Sequence, residues 1–254
     1  MNALNSKFVK DTLFKLRYGF KGVPIKVDNQ LIRLDESLRS WNFEGESGMQ
    51  AVLKNNLSSG DCFIDVGANF GMHTLYAAKL VGEMGRVFAF EPVPSNLNLL
   101  KKNIHLNHLE QQVKVIPKAL SNSPDPFLTF HVPVDEVAVT ASLRPDKTTQ
   151  EAIQVANTRL DDYWNEVNLP VKIIKIDVEG AELEVLRGAE QLIRRQKPLL
   201  LIEVHGFAFP DFGTNLDEFR KYLEALGYTE SQLSETYFQG DKYFQALYSV
   251  KFGD

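Results

Sequence analysis

The stretch Cys62-Phe63-Ile64-Asp65-Val66-Gly67-Ala68-Asn69-Phe70-Gly71-Met72-His73-Thr74 constrains this chain more than any other. A short apolar run follows the turn cluster Ser58-Ser59-Gly60-Asp61, bends at Gly67 and Gly71, and continues into Leu75-Tyr76-Ala77-Ala78-Lys79-Leu80, which suits a helix. Strand, glycine-rich bend and helix are how an open α/β sheet builds a nucleoside site. Glycines there let a ligand approach the backbone. The start of the following helix offers N–H donors and partial positive charge. This reading makes Asp65, Gly67, Ala68, Asn69, Gly71, His73 and Thr74 cofactor-binding candidates; the alternative is a plain strand-to-helix turn.

Spacing narrows the ligand. The glycines fall as G-x-N-x-G rather than G-x-G-x-x-G, and no P-loop pattern is present. Asp65, at the strand end, would repel a pyrophosphate but suits a ligand carrying an ammonium and a sulfonium, as S-adenosylmethionine does. Gly85-Arg86-Val87-Phe88-Ala89-Phe90-Glu91-Pro92 reads as a second buried strand ending in an acid. Glu91 lies roughly where a ribose-binding acid is expected, about 20 residues after the bend. One carboxylate can accept from both ribose hydroxyls. Pro92 and Pro94 stop the strand and free the chain to wrap the nucleoside. The competing readings are a nicotinamide-dependent oxidoreductase, against which the glycine spacing argues, and an S-adenosylmethionine-binding module without chemistry.

Phe63-Ile64-Asp65-Val66-Gly67-Ala68-Asn69-Phe70-Gly71, Phe90-Glu91-Pro92 and Lys175-Ile176-Asp177-Val178-Glu179-Gly180-Ala181-Glu182 together resemble the FkbM-type S-adenosylmethionine-dependent methyltransferases. The resemblance covers about Gly60 to Gly206, and the Asp-Val-Glu-Gly-Ala-Glu run is its most specific part. It implies a class I methyltransferase fold: a Rossmann-like α/β domain with a seven-stranded, mostly parallel sheet and helices on both faces. It also implies O-methylation of a hydroxyl on a sugar or natural product, so the expected partner is a small-molecule or saccharide acceptor.

A chain of 254 residues, 44% hydrophobic, can bury such a core in a single main domain. Residues 46–254 are read as that domain and residues 1–45 as an extension packed on it. The extension comprises a rough amphipathic helix over residues 4–17 and a β-hairpin over 25–34 that turns at Asp28-Asn29. A membrane-surface role for residues 4–17 is opposed by Asp11 and the short length. The net charge of −5 and pI near 5.6 give no attraction to nucleic acid. No apolar run reaches bilayer length, and residues 1–10 have no secretory core. With Cys62 the lone cysteine, a cytoplasmic location is expected. A homo-oligomer is left open.

Along the chain, Ser47–Leu57 suits a helix that could lie across the cleft, preceded by Glu44 and Glu46, which could reach the cofactor's ammonium. Residues 94–107 read as a helix in which Asn96 caps the start or touches the ribose. After a third strand, Val113–Ile116, Leu120 is placed to pack on adenine and Ser121 to bond an adenine nitrogen. Strands at 127–132 and 152–155 are joined by a long segment, 133–150, expected to border the acceptor pocket; whether it is a lid is left open. Asp161 and Asp162 open a short helix and suit its dipole. The fourth strand, 171–178, ends in Asp177, and the helix after it opens with Glu179 and Glu182. The fifth, 198–206, carries Glu203 and His205. In the order 3-2-1-4-5, Asp65 and Asp177 face one cleft. An antiparallel pair, 228–233 and 243–252, closes the sheet.

The expected chemistry is in-line displacement at the sulfonium, with Asp65, Gly67, Asn69, Gly71 and Glu91 positioning the cofactor. Asp177, Glu179 and His205 form the catalytic set, with His205 the expected base because its unperturbed pKa is near neutral. Asp177, Glu179, Glu203 and His205 could gather around a divalent metal, but their spacing is not diagnostic and no metal ligand is assigned.

Overall fold

The computed structural model describes residues 14, 17–39, 47–133, 150–238 and 241–250. In chain order its strands are β1 (Val23–Val27), β2 (Gln30–Leu34), β3 (Cys62–Val66), β4 (Arg86–Phe90), β5 (Val113–Ile116), β6 (Ala119–Leu120), β7 (Phe127–Pro133), β8 (Gln150–Thr158), β9 (Ile173–Ile176), β10 (Leu199–His205), β11 (Tyr228–Phe238) and β12 (Asp241–Val250). The α-helices are α1 (Ser47–Asn56), α2 (Met72–Val81), α3 (Pro94–Leu106), α4 (Leu160–Val167), α5 (Glu182–Gly188), α6 (Glu190–Gln196) and α7 (Leu216–Ala225). The expected helix over 4–17, apart from isolated residues, lies outside the described residues. So do Glu44, Glu46 and the interior of the segment expected to border the acceptor pocket.

The main sheet has 7 strands in the order β11-β12-β10-β9-β3-β4-β5. Strands β10, β9, β3, β4 and β5 run parallel, and β12 and β11 close one edge antiparallel. This is the strand order expected from the sequence. Central strands such as Cys62–Val66 and Ile173–Ile176 are buried at every position, as parallel strands covered on both faces must be. Alternation splits the core. Ile64, Val66, Phe88, Phe90 and Ile174 pack with Trp164 and α5 on one face; Phe63, Val87, Ile173 and Leu201 pack with α1, α2 and α3 on the other. The sheet order reverses between β3 and β9, which opens a crevice beyond their carboxyl ends. The expected strands at 127–132 and 152–155 pair antiparallel as β7 and β8 and, with β6, form a separate 3-stranded sheet beside it.

The β1–β2 hairpin turns at Asp28, whose φ of 55° is the left-handed geometry that Asp tolerates in tight turns. Val27, Ile32 and Leu34 join the core cluster of α1, α2 and α3. Asn103, fully buried on α3, ties this hairpin to the glycine bend. Its Oδ1 accepts from the Asp35 N–H at 2.7 Å, and its Nδ2 donates to the Phe70 carbonyl at 2.8 Å.

Several local roles differ from the sequence reading. Helix α1 packs into the core and contributes no residue to the crevice. Asn96 does not cap α3: Val93 is the cap residue, and the Asn96 amide points to Glu91. Asp161 lies in the first turn of its own helix as expected and also serves α6, accepting from the Gln191 and Leu192 N–H groups at 3.0 and 2.9 Å. It satisfies donors that the helix start would otherwise leave unpaired.

Candidate active site

A cavity of about 280 Å³ fills the crevice. Of the expected residues, Gly67, Ala68, Asn69, His73, Glu91, Pro92, Asn96 and Leu120 line it, as do Asp177 and Glu179. Asp65, Gly71, Thr74, Ser121 and His205 do not, and each has a physical reason.

Asp65 lies directly beside Lys175 in the β3–β9 register. Its side chain is fully buried, receives the Thr74 hydroxyl at 2.6 Å and sits 3.2 Å from the Lys175 ammonium. It is therefore an interior counter-ion, and the role of holding a ligand's ammonium group passes from it. Thr74 is engaged in orienting it. Gly71 starts α2 at φ 96°, and a Cβ there would meet Leu100 Cδ1 at 2.5 Å. Its bareness serves α3 rather than a ligand. Ser121 donates to Asn157 Oδ1 at 3.0 Å and accepts from the Ser123 N–H at 3.1 Å, so its hydroxyl anchors a turn to β8.

Gly67 lines the cavity but is needed for another contact. Its φ is 75°, and a Cβ would lie 1.9 Å from the Asp177 carbonyl oxygen. The Gly67 and Ala68 N–H groups donate to the Phe90 carbonyl. The bend is thus sewn to the ends of both neighbouring strands. Gly67→Ala should lose cofactor binding and unfold at markedly lower urea. A variant with wild-type unfolding and ligand affinity by calorimetry would contradict this packing.

Glu91 anchors one end. Its Oε2 accepts from the Asn69 N–H at 2.8 Å, its Oε1 from the Val93 N–H at 2.9 Å, and the Asn96 amide lies 3.5 Å from Oε1. Asn69 adopts φ 53° to make its bond. Burial raises the Glu91 pKa to about 7, against the lowering effect of the Val93 and Asn69 N–H groups. Oε2, with one donor, keeps lone-pair capacity, and the Asn96 contact on Oε1 is long enough to give way. Ala119, Leu120 and Phe130 add apolar wall nearby.

The other end is charged. Lys175, 2% exposed, donates to the Gly67 carbonyl at 2.9 Å and stands 3.2 Å from Asp65 and 3.3 Å from Asp177. Burial alone would lower its pKa, but Asp65, Asp177 and Glu203 more than reverse this and raise it. Burial likewise pushes the Asp177 carboxyl up, and Lys175 and His205 outweigh it, holding the group below the usual range. Tyr243, on β12, donates to Glu203, and both line the cavity.

Glu179 projects into this end from the turn after β9. Its backbone is left-handed at φ 54°, and its side chain is 30% exposed. Burial raises its pKa to about 7, with His205 opposing and Asp177 and Glu182 reinforcing the rise. His205 sits behind it, 3.5 Å from Nε2 to Glu179 Oε2 and 2.8 Å from Nδ1 to Glu182 Oε1. Burial disfavours a charged imidazole here, yet Glu182, Glu179 and Asp177 raise its pKa to about 10. His205, the expected base, thus stands behind the cavity wall with both ring nitrogens turned to carboxylates, and of His205, Glu182 and Glu179 only Glu179 reaches the cavity.

Asp177, Glu203 and His205 each bring one ligating atom within 4.8 Å of the others. All are bonded within the protein: Asp177 to Lys175, Glu203 to Tyr243, His205 to Glu182. Lys175 and Tyr243 are the site residues that sequence reasoning passed over. A cation within Ile173-Ile174-Lys175-Ile176 was the available signal, since a buried ammonium requires an acid beside it.

Residues 65–230 match the methyltransferase FkbM domain. The chain belongs to that family. It is 29% identical over 164 residues to methyltransferase sdnD of Sordaria araneosa, covering 54% of this chain and 63% of that protein. It is 25% identical over 184 residues to the hexuronic acid methyltransferase AglP of Haloferax volcanii, covering 72% of each. The chain therefore spans less than two thirds of the length of the first of these relatives. A crystal structure of an FkbM methyltransferase from Methylobacillus flagellatus KT shares the fold, with a TM-score of 0.52 and 20% identity over 76% of this chain and 44% of that one. Among the described residues of this FkbM-domain chain, no helix is long and apolar enough to cross a membrane.

Proposed function

We propose that this protein is an S-adenosylmethionine-dependent methyltransferase that methylates a hydroxyl of a sugar or small natural-product acceptor. The observation that carries the reading is the polarity of one cavity. A buried carboxylate with spare lone pairs stands at one end, and Asp177, Glu179 and Glu203 gather at the other.

The residues fit that cofactor. Glu91 presents the acceptor that a ribose diol needs, and Leu120 and Phe130 offer apolar surface to an adenine. The acid-rich end suits a ligand with positive charge. Bound there, S-adenosylmethionine supplies a methyl group already activated by a sulfonium. The chain's own contribution is alignment, worth about 7–11 kcal/mol when the geometry is right, and removal of a proton. Glu179 accepts the acceptor's hydroxyl proton as the new O–C bond forms and the C–S electron pair returns to sulfur. Asp177, fixed by Lys175, holds negative charge beside the reacting end throughout.

The relative named for hexuronic acid supports a saccharide acceptor, and a further relative, the 31-O-demethyl-FK506 methyltransferase FkbM of Streptomyces tacrolimicus, supports oxygen as the atom methylated. Calorimetry with S-adenosylhomocysteine and NAD, followed by incubation of a panel of glycosides and hydroxylated small molecules with methyl-labelled cofactor, tests the reading. Binding of the adenosyl ligand alone and label on a hydroxyl oxygen are expected. Binding of NAD in its place, or label on no hydroxyl acceptor, would overturn it.

A further inference from the structure

Behind the cavity wall lies a row of side chains that the proposed chemistry does not itself use. Glu182, on the first turn of α5, is fully buried, and His205, at the end of β10, is 4% exposed. Glu182 Oε1 accepts from the Gly180 N–H at 3.0 Å and faces His205 Nδ1 at 2.8 Å. His205 Nε2 faces Glu179 at 3.5 Å. Both ring nitrogens therefore face carboxylates. A neutral imidazole has only one N–H and would turn a lone pair toward one of these acids. A charged imidazole donates to Glu182 and sets its positive charge beside Glu179.

The backbone enforces the same arrangement. Glu179 and Gly180 are left-handed in succession, at φ 54° and 110°, and a Cβ on Gly180 would meet Ala208 Cβ at 2.6 Å. The turn is closed by the bond from Gly180 to Glu182, the same oxygen that holds His205. Glu182 thus fixes both the turn that carries Glu179 and the cation beneath it.

We infer that Glu182 and His205 form a buried ion pair that aims the Glu179 carboxylate into the cavity and keeps it in its proton-accepting form. Both are positioning residues acting through Glu179, and the inference rests on the methyl-transfer reading. Charge accounts for the arrangement. When the acceptor proton moves to Glu179 and the C–S pair returns to sulfur, one carboxylate and one sulfonium charge disappear together. The Glu182–His205 pair remains compensated before and after, so no isolated charge is stranded in the interior. The other groups around the pair are Lys175 from β9, Asp177 just after that strand, Glu203 from β10, and Tyr243 and Tyr248 from β12; the Tyr243 ring lies 5.2 Å from the imidazole, and Tyr248 interacts with Glu182. His73, from α2, acts on Asp177.

The test has two arms. In the protein without ligand, nitrogen NMR should show the His205 ring doubly protonated from about pH 6 to about pH 9. In Glu182→Gln the ring should titrate within that window. In methyl transfer at saturating cofactor, His205→Gln should move the acid limb of kcat upward by about one pH unit, a tenfold change in proton concentration, because it removes the charge that opposes the rise of the Glu179 pKa. Glu182→Gln, which also removes a carboxylate that reinforces that rise, should move the limb upward by less. A merely structural role lowers kcat without moving the limb. If His205→Gln does not fold, Glu182→Gln carries the same limb measurement. A wild-type ring that titrates near its ordinary value, or a limb unmoved in every folded variant, overturns the inference. A ring that stays charged in a protein transferring methyl to no hydroxyl supports the pair and counts against the methyl-transfer reading alone.

Discussion

Replacing Lys175 with Met should destabilise the protein by about 3–5 kcal/mol, the usual cost of removing one partner from a buried ion pair. The side chain is 2% exposed, and its ammonium compensates Asp65 and Asp177 while holding the Gly67 carbonyl. Methionine keeps the volume and removes the charge, leaving Asp65 without its cation in an interior that cannot solvate it. Urea unfolding at neutral pH measures the loss. The double variant Lys175→Met with Asp65→Asn should recover much of it, because the pair is then removed as a unit. A single variant that loses less than about 1 kcal/mol would mean that water reaches Asp65 and that the pair is not interior.

The largest effect on turnover should come from Glu179→Gln. Loss of a general base lowers rates by about 10²- to 10⁴-fold, and glutamine keeps the shape while removing the proton acceptor. Affinity for S-adenosylhomocysteine should stay within about threefold of wild type, because the carboxylate we propose for the ribose is Glu91, at the other end of the cavity. The pH profile separates this residue from His205. Glu179 must be ionised to act, and its pKa is about 7, so kcat should rise with pH through about 7 and then level. A base with the His205 pKa of about 10 would place that rise far higher. Reading kcat at saturating cofactor keeps the ionisation of Glu91, also about 7, out of the limb. Turnover in Glu179→Gln within about fivefold of wild type would remove Glu179 from the base role.

The architecture was legible because its signals are local and strong. Phe63 to Gly71 could hardly be other than strand and bend. The apolar runs at 173–176 and 199–205 required coverage on both faces, and strand order followed from the class I fold that the family resemblance implies. Much of one end of the cavity was legible for the same reason: Glu91 follows its strand by direct sequence, and Asn69, Asn96 and Leu120 line the same cavity. What could not be read was which acids were already neutralised. Asp65 ends a strand like any site acid, and only the in-register neighbour Lys175, distant in sequence, turns it into a counter-ion. His205 carries the residue type of a base, but the chain does not show that it stands behind the cavity wall, paired with Glu182. Three carboxylates from separate segments, Glu182, Glu179 and Asp177, converge on one ring. Gly67 shows the same limit: its bareness was legible, but the Asp177 carbonyl that requires it was not.

The most direct test of the central claim is a crystal structure of the protein with S-adenosylhomocysteine. The account predicts the ribose hydroxyls on the Glu91 carboxylate, with the sulfur turned toward the end lined by Asp177 and Glu179 and Asp65 still buried against Lys175. A ligand bound outside this cavity, or one whose ribose leaves Glu91 bonded only to the Asn69 and Val93 N–H groups, would contradict it.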